Sequence, residues 1–136
     1  MQIGSSPNVS SSRKRIVYKP STWRIHQFEI WSGDLLCKAV ALRVQGALLL
    51  WLGGAGAAQL SEIALGMPAP SNDGNRDALS TTLIGADGTA AAMARRLSAA
   101  LERPVYVCSG VTFDRFTMPL IERGLVAEIK SRPECF

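Results

Sequence analysis

Histidine is almost missing from these 136 residues, with His26 the only one. Cysteine is sparse: Cys37, Cys108 and Cys135 stand too far apart for a zinc knuckle or a C-x-x-C redox pair. A metal centre would have to join His26 to scattered Cys and Asp, so none is expected, and free thiols in a reducing intracellular compartment are. No apolar run approaches the roughly 18 residues of a membrane-crossing helix. The longest apolar block, residues 47–52, is strand-sized. No apolar h-region opens the sequence, so a secretory signal is not expected either. Acid is absent from residues 1–24, which carry Arg13, Lys14, Arg15, Lys19 and Arg24. Removing those five from fifteen basic residues leaves ten against eleven acidic ones, so the net charge of +4 belongs to this segment. A basic groove for nucleic acid is therefore not expected from the remainder.

Catalytic motifs are missing as well. The pair Gly85-x-x-Gly88 opens a helix, where backbone N–H groups can hold phosphate. A P-loop needs a following Lys, and a dinucleotide fingerprint needs a third glycine; neither is present. Asp87 would repel a phosphate and reads better as the helix N-cap. His26 alternates with Phe28 and Ile30 and so reads as a packed residue. No nucleophile and orienting acid are spaced to complete a triad with it. Cofactor and catalytic residues are accordingly expected to be none. The alternative is a small phosphate- or nucleotide-binding enzyme that uses the Gly85 to Gly88 turn.

What is present describes an α+β protein: a mainly antiparallel sheet of about six strands with two helices packed on it. Residues 1–21 read as a disordered basic tail, and residues 22–136 as one domain of a size that buries its own core. In the tail, Arg13 to Arg15 fits a localisation signal or an electrostatic contact, with a solvated tail as the plainer reading. Residues 23–31 form the first strand, with His26, Phe28 and Ile30 on one face. Ser32-Gly33 turns the chain into a second strand over residues 35–44, where Leu36, Val40, Leu42 and Val44 share a face interrupted by Lys38. Gln45-Gly46 is a second tight turn. The unbroken apolar run that follows belongs in the middle of the sheet, covered on both faces. These three strands make a meander. Residues 59–65 fit a fourth strand or a short helix, with strand the preferred reading, and residues 68–77, rich in Pro, Asn and Asp, read as a surface loop.

The central unit spans residues 79–109. A strand at 79–84 is followed by the turn, then by a helix from 88 to 101 whose stripe is Ala90, Met93, Ala94, Leu97, Ala100 and Leu101. Pro104 stops that helix, and residues 105–108 form a short buried strand. The last helix starts at Asp114 or Thr117, with Pro119 favouring the later start. Its stripe is Met118, Ile121, Leu125 and Ile129; Gly124 weakens it by about 1 kcal/mol, and Pro133 stops it. Trp31 and Trp51 read as core or interface. Lys38 and Arg43 fit either a polar rim around a contact or ordinary outward-facing positions.

Several of these stretches carry a family likeness. They are His26-x-Phe28, residues 47–53 (ALLLWLG), residues 79–85 (LSTTLIG) and Gly88-Thr89 leading into Ala94-Arg95-Arg96-Leu97. Residues 105–109 (VYVCS), Leu120-Ile121-Glu122-x-x-Leu125 and the closing Pro133-Glu134-Cys135-Phe136 continue it. Over about the last 110 residues, in one order, the chain resembles the proteasome assembly chaperone 4 family. Gly110, Pro119 and the long loop at 68–77 depart from the family pattern. The resemblance implies a non-enzymatic chaperone without cofactor. It implies pairing with a sister, proteasome assembly chaperone 3, and binding to proteasome α-subunits so that the α-ring forms in order. It also implies a cytoplasmic location, with the nucleus open as a second, no membrane or nucleic-acid partner, and self-pairing when the sister is absent. An edge strand or an exposed helix face is the expected contact.

Overall fold

Strict alternation, two tight turns and two amphipathic stripes dictate most of the architecture. The computed structural model describes residues 15–69, 77–85, 88–111 and 114–136. Strands β1 (Arg24–Ser32), β2 (Leu35–Val44) and β3 (Ala47–Gly53) form the expected antiparallel meander. Then follow β4 (Glu62–Ala69), β5 (Asp77–Ile84), helix α1 (Thr89–Leu101), β6 (Val105–Ser109), helix α2 (Met118–Ser131) and a 3-10 turn at Pro133–Cys135. The strands make one sheet in the order β1-β2-β3-β6-β4-β5. Four of its five pairings are antiparallel and the β3–β6 pairing is parallel, so the sheet is mixed. β3 sits inside the sheet as expected, but the helices cover only its Leu48, Leu50 and Leu52 side, so the expected cover on both faces is not found among the described residues. Strand β4 is antiparallel to both β5 and β6, so these two run parallel on either side of it, and α1 crosses over β4 to join them.

Two boundaries differ from the sequence reading. Strand β4 starts three residues later than expected, and residues 59–61 belong to the preceding connection. Pro68 lies in β4 rather than in a loop. It is tolerated there because the β4–β6 pairing ends at Gly66, so the missing N–H faces no neighbouring strand. The expected disorder of residues 1–14, most of the 68–77 loop and the Asp87 cap lie outside the described residues.

Both helices cover one face. That face carries Phe28 and Ile30, then Cys37, Ala39 and Ala41, then Leu48, Leu50 and Leu52, with Val105, Val107 and Ala64 completing the floor. Met93, Ala94, Leu97, Ile121, Leu125 and Phe136 fill the layer above. The buried face of β2 is thus its small-residue face, not the one bearing Leu36, Val40 and Leu42. In α1 the stripe is rotated from expectation: Ser98 is buried and Ala100 exposed. The Ser98 hydroxyl donates to the Arg103 carbonyl at 2.8 Å, which satisfies a polar group at the helix end.

Two glycines set how closely the layers approach. A Cβ on Gly66 would lie 2.2 Å from the Ala94 carbonyl oxygen of α1. A Cβ on Gly124 would lie 2.3 Å from the Ile30 side chain, which explains a glycine inside α2. Helix α2 starts at the later of its two expected positions. The Asp114 carboxylate accepts the N–H groups of Phe116 at 2.8 Å and Thr117 at 2.7 Å, bracing the turn that leads in.

Gly66→Ala is expected to cost about 1–3 kcal/mol of stability by forcing α1 off β4. Urea unfolding followed by circular dichroism reads this as a lowered midpoint, and an unchanged midpoint would contradict it.

Candidate functional site

Strand alternation leaves a second sheet face, and among the described residues no helix lies on it. The register assembles this face in rows. One row runs Ile25, Leu42, Leu49, Tyr106, Leu65 and Thr81 from edge to edge. The next runs Gln27, Val40, Trp51, Cys108, Ile63 and Ile84. Met67 stands opposite Leu79 beyond them. At the edges of the face Ile25 is 67% exposed, Trp31 66% and Leu79 69%, while Leu42, Leu49, Tyr106 and Leu65 along its centre are half-buried and Cys108 is buried. The larger apolar residues of β2 therefore face outward, while its Cys and Ala face the helices.

Polar groups punctuate the face rather than cover it. Lys38 is exposed on β2, where it stands between Glu29 of the edge strand and Gly53 at the end of β3. The Trp31 indole N–H donates to the Glu29 carboxylate at 3.0 Å, which fixes that ring beside the edge. Trp51 folds over Gly53, and its indole N–H donates to the Gln59 carbonyl at 3.0 Å. The connection through residues 54–61 thus meets the face only at the Trp51 end. An open cleft of about 610 Å³ remains there, between Val40, Lys38, Trp51 and Gly54.

The expected edge-strand contact is weaker. On β5 the Asp77 carboxylate accepts the Ala78 N–H at 2.7 Å, and Arg95 Nε donates to the Ala78 carbonyl at 3.0 Å. Side chains thereby occupy the edge at that end. The Ala78 N–H first, and then Arg95, hold the Asp77 carboxyl below the usual carboxylate range.

The remaining sequence candidates separate from one another. Gly85 and Gly88 adopt φ of 91° and 79°, the left-handed region that glycine tolerates. The α1 N-terminus above them already holds an anion: Glu62, buried on β4, accepts the Ala90 N–H at 3.0 Å. A phosphate bound there would have to displace that carboxyl group from the Ala90 N–H, which weighs against the nucleotide reading. His26 stacks on Phe28 at 5.1 Å, meets Phe136 edge-on at 6.0 Å and pairs with Glu128 at 2.9 Å. It is a packed residue. Arg43 lies on the helix side, where it donates to the Glu134 backbone oxygen at 2.9 Å, and is no part of the open face. The three cysteines are free thiols. Burial pushes the Cys37 thiol up to about 11 and raises that of Cys108. Among the described residues no group of three or more His, Cys, Asp or Glu is placed to hold a metal, and no helix is long and apolar enough to cross a membrane.

Sequence reasoning missed Glu62, which caps α1 across a gap of 28 residues. It also missed the open face, although the signal existed: large apolar side chains alternate with Cys and Ala along β2.

The described residues form a two-layer α+β unit with one apolar sheet face that no helix covers. The family model of proteasome assembly chaperone 4 matches residues 38–111, which run from β2 through β6. The chain belongs to the proteasome assembly chaperone 4 family, and its role is that of a proteasome assembly chaperone. Among solved structures, a chain of a yeast complex described as a novel chaperone complex for 20S proteasome assembly shares the fold. The TM-score is 0.52 at 16% identity, over 82% of this chain and 93% of that one. No curated protein matches the sequence.

The raised Cys37 value leaves about one thiolate in a thousand at pH 8. Ellman's reagent at that pH is therefore expected to label Cys135 quickly and Cys37 only as the protein unfolds. Equal rates at the two positions would contradict the packing described. Glu62→Ala is expected to cost about 1–2 kcal/mol in a thermal or urea melt by leaving the α1 N-terminus uncapped; a melt unchanged from wild type would overturn the capping role.

Proposed function

We propose that this chain is a non-enzymatic chaperone that pairs, through its bare sheet face, with a structurally similar sister of the proteasome assembly chaperone 3 kind. The pair holds proteasome α-subunits while the α-ring forms in order, and acts in the cytoplasm, with the nucleus open as a second location.

The open face is the observation that carries this reading. Six strands about 4.8 Å apart, each about seven residues long, span on the order of 700 Å². That is close to the roughly 800 Å² that each partner contributes to a standard interface. Part of that area is apolar side chain still open to water, the kind of surface that marks a protein contact. A second sheet laid against it, at the usual spacing of about 10 Å, would bury the row from Ile25 to Leu65 and form a sandwich with helices outside. A sister of similar architecture brings such a sheet. Two copies of this chain are the fallback occupant when the sister is missing. Family membership supports the proteasomal direction of the reading, and the capped α1 N-terminus weighs against a phosphate chemistry.

Leu49→Asp puts a charge at the centre of the face. It is expected to weaken binding to the sister by at least about tenfold in titration calorimetry. Leu120→Asp, on the outer side of α2, serves as the control and should bind like wild type. The reverse pattern would move the contact to the helix layer. Affinity capture from lysate with mass spectrometry is expected to recover the sister with unassembled α-subunits. Repeated recovery of neither would sink the assembly reading.

A further inference from the structure

At one end of the sheet three arginines from separate parts of the chain converge. Arg24 of β1 and Arg43 of β2 are direct cross-strand partners, a pairing that like charges normally avoid. Arg103, just beyond α1, lines the same open cleft of about 880 Å³, together with Thr22, the Gln45-Gly46 turn and Pro104. Glu102 is the single carboxylate among the lining residues. Burial first, and then the charge of Arg43, hold the pKa of the Arg103 guanidinium below its usual value.

Two of these side chains are held in place by backbone oxygens near Phe136. Arg43 Nη1 donates to the Glu134 backbone oxygen at 2.9 Å, and Arg103 Nη1 to the Phe136 backbone oxygen at 2.6 Å. Each guanidinium carries five N–H donors, so these bonds orient it and leave others directed elsewhere. Arginine planes fixed in this way suit two-pronged recognition of carboxylates.

We infer that this cleft is a second binding site, which takes an acidic polypeptide segment of a partner protein. Charge complementarity selects the guest. The cleft is larger than a single phosphate requires, and no aromatic side chain lines it to stack a nucleobase. Ile25 alternates with Arg24 along β1 and therefore projects to the other side of the strand. Arg24 and Arg43 lie in the helix-side layer of the sheet, opposite Ile25, Leu42 and Leu49. A partner on the open face and an acidic segment in the cleft can thus be held at once. This rests on the reading of the chain as a scaffold for proteins, but it is testable without the sister.

The probe is a fluorescein-labelled hexaglutamate peptide, titrated into the full chain by anisotropy. Arg24→Glu is expected to weaken binding about tenfold. Lys19→Glu makes the same charge change on an exposed residue outside the cleft and is expected to weaken it less than about twofold. Equal losses in the two variants would reduce the site to a diffuse field, and no binding by wild type would overturn it. Tighter binding of a labelled hexauridylate than of the peptide would replace the proposed guest with nucleic acid. Circular dichroism melts of both variants should match wild type, since Arg24 is exposed. Should Leu49→Asp abolish sister pairing while Arg24→Glu leaves the peptide affinity unchanged, the cleft proposal alone would fall; the opposite pattern would remove the pairing reading alone.

Discussion

Helix α1 approaches β4 so closely that a side chain at Gly66 would run into the helix backbone at Ala94. Much else follows from that contact. Glu62 lies four residues earlier on the same face of β4 and so reaches the first turn of α1, where it accepts the Ala90 N–H. Ser98 is forced inward and settles its hydroxyl on Arg103. The helix spans from β5 to β6 across β4 and fixes the parallel β3–β6 pairing on its far side. At the other end, Gly124 lets α2 settle on Ile30 in the same manner. Both helices are thus committed to one layer, and the sheet's other face stays bare.

Close helix packing also explains the distribution of residue sizes. Cys37, Ala39 and Ala41 on β2, with Ala64 and Gly66 on β4, make a shallow floor under the helices. Leu42, Leu49, Tyr106 and Leu65 stand on the opposite side. These side chains are already half-buried in the single chain, and completing their burial would add part of the about 1.5–3 kcal/mol that full burial of such a side chain supplies. A partner that covers them converts that unused free energy into association. Affinity then depends on a few central anchors.

Much of this was legible in the sequence, for local reasons. Strands β1 to β3 follow from alternation and from the Ser32-Gly33 and Gln45-Gly46 turns. The helices follow from their stripes and from Pro104, Pro119 and Pro133. Long-range choices were not legible. Periodicity identifies a face of β2 but not which face the helices take, and bulk pointed to the wrong one. Glu62 displaced local expectation at the α1 N-terminus because a carboxylate from a neighbouring strand is invisible to spacing rules. Gln59 to Ser61 carried an ambiguous pattern, and the structure assigns them to a connection held by Trp51 and Ser109. Arg43 was singled out by its charge, yet its role as a clamp on the Glu134 backbone needed the fold to bring the two together. The family resemblance identified the protein where the residues alone described only a domain without a catalytic constellation.

The central claim is that a partner covers the bare sheet face. Hydroxyl-radical footprinting of the chain alone and in its purified complex with the sister tests it most directly. The account predicts strong protection of Trp31, Leu49, Met67 and Tyr106 in the complex, with Phe116, Leu120 and Val126 on the helix layer unchanged. Protection confined to the helix layer, with the sheet face still reactive, would contradict it.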